Sequence, residues 1–395
     1  MISLDAVAKP DADRLLSLPA LSALADEGVF CDNVKTIYPT LTYPIHTSLL
    51  TGCYAETHGV GHNQPFQPDT PKPMREWYWD VGDVRVKTLH QAAKEKGMDV
   101  ASILWPVSGK NRAVRRNFPE VVPLPGENAM LKIMRYASPL WLLRMEILYG
   151  RTRKSIYQPD LDDYAALLCE KLYVSRRPPD VLTVHLVDCD AMRHQYGVDS
   201  PEARAAMERL DKRVGRVIAA VKKAGLEEET LFCMVSDHGQ QDAPKGMLLD
   251  KELQAACGAR AQSHGMGAYI FGPDLDKARQ VLEENKEAWG IARVFSDRDL
   301  RSLRAPKDVH LAVDALPGHC FIDRPGETFG EHGFSLDCPQ ARTLLWLKGP
   351  GVKRGYRLPE ADLVDIAPTL AKALGLELPE AEGKALDSVF EQFDS

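Results

Sequence analysis

The chain has 395 residues, of which 44% are hydrophobic, and its 56 acidic and 49 basic side chains leave a formal net charge of −7. That is the composition of an ordinary soluble globular protein, long enough for two or three domains or for one large α/β domain with insertions. The acidic balance argues against affinity drawn from general attraction to nucleic acid or to an anionic membrane, although it is compatible with a local basic patch.

Ile2–Leu4 reads as the end of a strand, residues 15–27 carry helical periodicity, and residues 34–38 precede a turn that opens a helix over about 43–51. Residues 98–104, 180–187, 230–235 and 342–347 are short, apolar and rich in β-branched side chains, the pattern of strands covered on both faces. Between them lie helices, notably 201–224, where Ala206, Leu210, Val214, Val217 and Val221 recur at helical spacing. Alternation of this kind predicts an α/β fold built on a doubly wound, mainly parallel sheet. Two stretches break the rhythm. Residues 107–178 read as a helical and loop insertion, and residues 241–330, with Gly267–Phe271, a helix at 275–289 and Ile291–Phe295, read as a small inserted α+β cap subdomain. The catalytic domain is then 1–240 and 331–395.

The eight cysteines form no C-x-x-C pair and several sit in apolar runs, so reduced thiols are expected rather than a disulfide framework. The opening MISLDAVAKPD has neither the basic nor the apolar region of a signal peptide. PLWLLRMEILYG, residues 139–150, is too short to span a bilayer and carries Arg144 and Glu146. A cytoplasmic protein without a membrane span or a nucleic-acid scaffold is the expectation.

In an open parallel sheet the functional groups gather beyond the carboxyl ends of the strands. Asp5 ends the first strand, Thr42 lies in the turn YPTLTYP, Asp190 and His194 follow the strand at 180–187, Asp237 and His238 follow that at 230–235, and His332 precedes the last strand. Asp190 and His194 are four residues apart, which on a helix puts carboxylate and imidazole on one face. Asp237 and His238 are adjacent before Gly239, where the chain can turn both inward. Such an oxygen and nitrogen donor set suits zinc, or manganese or iron, better than magnesium or calcium. Thr42, just ahead of Tyr43-Pro44, is open to two readings: a helix N-cap, or a hydroxyl beside a metal at the positive end of a helix and hence a nucleophile for phosphoryl transfer.

With these residues in place the chain resembles the alkaline phosphatase superfamily, and within it the type I phosphodiesterase/nucleotide pyrophosphatase family. The resemblance rests on PTLTYPIHTSLLTGCYAETHGVGHN at 39–63, the D-x-x-x-H-x-x-G element at 190–197, S-D-H-G at 236–239, H-G-F at 332–334, and the tail DLVDIAPTLAKALGLELP. It implies an alkaline phosphatase-like fold and a site with two divalent metal ions, most simply zinc. One would be held by Asp190, His194 and His332, the other by Asp5, Asp237 and His238, with the Thr42 oxygen bound to it. It further implies a Thr42 nucleophile that forms a phosphothreonine, and Asn63 as amide donor to a phosphate oxygen. The chain departs from the family pattern at Ile45, where Asn is usual, at Ala55 in place of Pro, and at Asp5-Ala6 in place of Asp-Gly.

The resemblance makes a metal-dependent hydrolase of phosphodiesters or nucleotide pyrophosphates the leading reading. The alternatives are a phosphomonoesterase and a phosphonoacetate hydrolase-like C–P hydrolase; for the latter Lys110 and Arg112 of VSGKNR would hold a substrate carboxylate. A binding protein that lost activity would be expected to show a broken ligand set, and every ligand position is filled. Trp105, Trp141, Trp77 and Trp79 are candidates to line a substrate pocket, and His319 to contact substrate. His46, His58 and His264 read as packing or hydrogen-bonding residues and His62 as a weaker substrate candidate, while His90, His185 and His310 have no distinguishing feature. Asp188 lacks the spacing to His194 that Asp190 has.

Overall fold

Strands β1 (Ile2–Leu4), β5 (Val181–Leu186) and β6 (Phe232–Ser236) are buried along their whole length, which places them at the centre of the main sheet. The structure, a computed structural model, describes residues 1–323 and 329–391. With β2 (Val29–Lys35), β3 (Val100–Ile103) and β4 (Arg116–Phe118), the nine-stranded sheet runs Tyr356–Arg357, β2, Arg342–Lys348, β6, β1, β5, β3, β4, and Ala361–Asp362 also pairs with β2. Pairing from β6 to β4 is parallel throughout.

Strand Arg342–Lys348 is the exception, antiparallel to both β2 and β6. The reason lies in the path of the chain. After β6 it stays at the carboxyl edge through the insertion and re-enters the sheet from that edge, with no crossover helix to carry it to the opposite end.

Alternate side chains feed two cores. Phe232, Met234, Leu344 and Trp346 join one layer with Leu210, Val214 and Val217, whereas Cys233, Val235, Leu345 and Leu347 join the other with Ile45, Leu49 and Leu370. The sheet is therefore covered on both faces, the doubly wound arrangement of an alkaline phosphatase-like α/β protein. Two helices differ from the periodicity reading. Residues 15–27 are split into Ala12–Leu16 and Pro19–Glu27, because Pro19 cannot continue the first helix and begins a new one. The helix expected over 275–289 stops at Glu284.

The insertion at 107–178 supplies the edge strand β4, too short for a period to show, and helices Ala129–Tyr136, Pro139–Tyr149 and Asp160–Tyr173. Within 241–330 a second, four-stranded antiparallel sheet forms in the order Ile291–Phe295, Ala312–Ala315, Gly267–Phe271, Arg260–Ser263. Leu253, Ile270, Leu282 and Val313 make its own core, and the Tyr269 hydroxyl donates to the Gly61 carbonyl at 3.0 Å, tying this sheet to the segment that follows the Thr42 helix. Cys31, Cys53, Cys169, Cys189, Cys233, Cys257 and Cys338 are thiols outside any disulfide among the described residues. Among the described residues no helix is long and apolar enough to cross a membrane.

Candidate active site and metal centre

The carboxyl ends of β1, β5 and β6 converge on one buried cluster. Asp5 follows β1, Asp237 and His238 follow β6, and His185 is the penultimate residue of β5. Asp237 is held by two backbone donors, the Ala6 and His238 N–H groups at 3.1 and 2.8 Å to Oδ1. Ala6 sits at φ 59, in the left-handed region that favours glycine, which gives a conformational reason for the Gly usual there. His185 bridges Asp5 Oδ2 at 3.0 Å and Glu120 Oε2 at 2.8 Å. Burial alone would lower the pKa of His185, but the hydrogen bonds and charges of Asp5 and Glu120 outweigh it and raise it well above the usual histidine value.

Thr42 is the first residue of helix Thr42–Thr51, and the N-cap is the extended Leu41, so Thr42 is not the cap that the sequence allowed. Its Oγ1 lies 3.2 Å from His238 Nε2. The Tyr43 N–H, one of the free donors of the first helical turn, is taken by Asn63 Oδ1 at 3.0 Å, which brings Asn63 beside Thr42 and leaves its Nδ2 without a hydrogen-bond partner among the described residues. Gly52 closes the helix at φ 69, returning its N–H to the Ser48 carbonyl.

Asp190 and His194 share one face of helix Asp188–Tyr196, with His194 Nε2 at 3.3 Å from Asp190 Oδ1. Gln240 Nε2 also donates to Asp190. Burial would raise the Asp190 pKa, yet His194 and the neighbouring imidazoles hold it below the ordinary range; the same contact brings His194 up to about 9 against its own burial. His332 arrives from the return segment. Its Nδ1 is 3.1 Å from the Thr40 carbonyl, which can only accept, so that nitrogen carries the proton and Nε2 keeps a free lone pair. Gly333 follows at φ 84 with a Cβ position only 1.9 Å from the His264 carbonyl oxygen, so no side chain fits there. The His238 and His332 rings stack at 4.1 Å, and burial lowers their pKa values to about 4 and about 3.

The ligand atoms of Asp5, Asp237 and His238 lie within 4.8 Å of one another, and so do those of Asp190, His238 and His332. His238 thus stands at the junction of two groups, and His194 flanks the second one beside Asp190. The donor set fits divalent cations on an independent ground. Asp5 Oδ1 and Asp237 Oδ2 are buried without a hydrogen-bond partner among the described residues, and burial raises the pKa of both carboxyls. Buried carboxylate oxygens that accept no hydrogen bond, beside the neutral imidazoles of His238 and His332, suit a cation. A third group, His46, His185 and Asp237, is poorer in donors, because both nitrogens of His185 are engaged and His46 Nδ1 contacts the Thr42 carbonyl at 2.8 Å.

Of three expected substrate contacts, Lys110 and His319 are not brought to this cluster, and Trp105 packs against His46 of the third group. Trp105 is fully buried with its ring 4.9 Å from His46, leaving no face for a ligand. Lys110 is an exposed loop cation paired with Asp80 at 2.7 Å, and Arg112 is exposed as well. His319 starts strand His319–Phe321, with Nδ1 3.2 Å from the Pro317 carbonyl and its ring against Gly290. Of the other tryptophans, Trp77 packs on Tyr43 at 5.2 Å, Trp79 is buried and Trp141 lies in a groove at the other end of the sheet. Asp188 is bound by Arg209 and Arg213 and belongs to the packing of the helices. His185, Glu120 and Gln240 escaped sequence reasoning. The one available signal for His185 was an ionisable side chain inside an otherwise apolar strand, one residue before its end.

Comparison with known proteins agrees with this geometry. A family profile described as type I phosphodiesterase / nucleotide pyrophosphatase matches residues 1–331, ending one residue before His332. The chain is 23% identical over 383 residues to the bis(5'-adenosyl)-triphosphatase enpp4 of Mus musculus, covering 93% of this chain and 75% of that one. It is 26% identical over 252 residues to ectonucleotide pyrophosphatase/phosphodiesterase family member 1 of Homo sapiens, covering 60% of this chain and 23% of that one. Among solved structures, human ectonucleotide pyrophosphatase/phosphodiesterase 5 superposes with a TM-score of 0.74 at 18% identity over 99% of both chains. The murine protein 5, as an inactive threonine-to-alanine variant in complex with AMP, gives a TM-score of 0.75 at 17% identity over 99% of this chain and 98% of that one. These structural likenesses show the fold. The profile match spans most of the chain, which belongs to the type I phosphodiesterase/nucleotide pyrophosphatase family of the alkaline phosphatase superfamily and is a hydrolase of phosphoric ester or phosphoanhydride bonds.

Proposed function

We propose that the protein cleaves small phosphodiesters or nucleotide pyrophosphates through a phosphothreonine formed on Thr42. The observation that carries this is the Thr42 hydroxyl on the first turn of a helix, 3.2 Å from His238 Nε2, which itself lies 3.6 Å from Asp5 Oδ1 and 3.4 Å from Asp237 Oδ2, two buried oxygens without a hydrogen-bond partner among the described residues. Two divalent ions, zinc fitting the donors best, would be held by residues drawn from Asp5, Asp190, His194, Asp237, His238 and His332, with the Thr42 oxygen on one of them, and would supply positive charge for the phosphoryl oxygens and for the Thr42 alkoxide.

The chain's own residues do the rest. The helix N-terminus favours the anionic form of Thr42 and the approach of a phosphoryl group. Thr42 Oγ attacks phosphorus, the P–O bond to the leaving group breaks, and water later cleaves the phosphothreonine to return the hydroxyl. Asn63, pinned through Oδ1 by the Tyr43 N–H, presents Nδ2 to a phosphoryl oxygen. The preference for nucleotides is supported by the AMP complex of the murine structural neighbour and by the name of the murine relative.

Thr42→Ala tests the nucleophile. Turnover of bis-p-nitrophenyl phosphate should fall by a factor of about 10⁴ or more while bound metal is nearly unchanged. Retained turnover would remove Thr42 from the reaction. A panel of bis-p-nitrophenyl phosphate, p-nitrophenyl phosphate and phosphonoacetate tests the substrate class. The diester should turn over fastest, and a faster monoester or phosphonate would overturn that preference.

A further inference from the structure

Far from the catalytic edge, the insertion leaves a helix without cover. Along Pro139–Tyr149 only Leu142 is buried, while Leu140 is 84% exposed, Ile147 73%, and Leu143 and Leu148 are also exposed. Val174, at the end of helix Asp160–Tyr173, extends the apolar surface at 63% exposure. A helix this apolar is ordinarily enclosed, and a contiguous exposed patch of large aliphatic side chains marks a surface that something covers.

Charge identifies what fits. Between the helix and residues 171–177 runs a groove of about 830 Å³ with Trp141, Met145 and Leu172 in its lining. Six cations and one carboxylate line the groove, on a chain whose net charge is −7. The carboxylate, Asp99, is already taken by Arg115 at 3.1 Å and Arg116 at 3.0 Å. Arg144, Lys171, Arg176 and Arg177 have no acidic partner within ion-pair distance among the described residues. Aliphatic side chains surrounded by unpaired guanidinium and ammonium groups match a surface that is apolar below and anionic above.

We propose that this face docks the protein peripherally on an anionic phospholipid bilayer, with Leu140, Ile147 and Leu148 entering the acyl boundary and Arg144, Arg176 and Arg177 on lipid phosphates. A second copy of the chain is a poorer occupant, because a two-fold contact sets the patch on itself and faces like charge with like charge. The groove lies where β3, β4 and β5 begin, with Asp99, Arg116 and Arg177 around it, whereas Asp5 and Asp237 lie where β1 and β6 end. Docking through it leaves the catalytic edge turned to the solution, so the protein is held at the membrane while taking its substrate from water.

Cosedimentation of the full chain with phosphatidylcholine vesicles, with and without phosphatidylglycerol, is the test. Binding is expected only with the anionic lipid and is expected to weaken steeply with added salt. Leu140→Asp with Ile147→Asp, and separately Arg144→Glu with Arg176→Glu, should each weaken it by about tenfold or more. Both pairs are solvent-exposed, so the thermal midpoint and the turnover of a soluble diester should stay at wild-type values. Absence of binding to anionic vesicles, equal binding to neutral ones, or binding that neither pair disturbs would overturn the proposal. A concentration-dependent dimer dissolved by the Leu140 and Ile147 pair, with no vesicle binding, would assign the face to a second copy instead.

Discussion

His185 shows how a single side chain organises the buried charge. By occupying Asp5 Oδ2 and Glu120 Oε2 together it leaves Asp5 Oδ1 as the free oxygen of that carboxylate. Glutamine can reach only one of those carboxylates, so His185→Gln should weaken divalent-metal affinity by about 10–100-fold, read by competition with a chromogenic chelator. An unchanged affinity would reduce His185 to packing. The strand-end residues Asp5, Asp237 and His238 were legible in the sequence as polar side chains closing apolar strands, and Asp190 through its four-residue spacing to His194 on the helix that follows β5. His185 was not, since it lies within a strand and its partners are 180 and 65 residues away in sequence. Trp105 was singled out by residue type, Lys110 by a loose likeness of VSGKNR to the lysine-bearing loop of a phosphonoacetate hydrolase, and His319 by its position before His332, and none of these signals says which way a segment folds.

At the scale of elements, the central strands followed from short apolar, β-branched runs and the long helix expected over 201–224 from its periodicity, whereas short edge strands and strand direction did not. The strand that follows His332 runs antiparallel because of where the preceding insertion leaves the chain, a property of the path rather than of the apolar run 342–347. The second sheet repeats the lesson, since Ala312–Ala315 became a central strand although its alternation includes Asp314. Burial pushes the Asp314 carboxyl up to about 7, partly offset by a hydrogen bond from Ser335 and the charge of Arg293. Because its folded pKa lies above the unfolded value, the folded chain holds the extra proton between about pH 4 and pH 7, and stability declines as pH rises through that window. Asp314→Asn removes the decline. The variant should be more stable than the wild type at about pH 8, by of order 2–4 kcal/mol, with a smaller gain at about pH 5, measured by urea denaturation at both values. Equal gains at the two pH values would show that Asp314 does not titrate in this range.

Stability of the whole molecule should be linked to its metal content, with a definite sign in pH. In the metal-free chain burial raises the Asp5 and Asp237 carboxyls, and the charge of Asp237 adds to the rise at Asp5, so the pair takes up protons more readily than free carboxylates do and a cation competes with those protons. His194, at about 9, must likewise lose a proton to become a ligand, whereas His238 and His332, at about 4 and about 3, are neutral above that range and add no pH dependence. Metal affinity of the folded state therefore rises as pH rises, and a ligand that binds only the folded state adds stability in proportion to the logarithm of its affinity. Absolute stability of the chelated protein is a poorer readout, because the buried neutral histidines His58 and His90, both at about 3, favour folding as pH rises while the raised carboxyls oppose it. The difference between metal-loaded and chelated protein isolates the site, because those distant histidines contribute equally to both forms. That difference in thermal midpoint, measured at fixed free zinc, should grow from about pH 5 to about pH 8. A difference that stays flat across this range would mean that the cation is not bound by the buried carboxylates, and a difference of zero at every pH would mean that no cation is held in the folded chain at all.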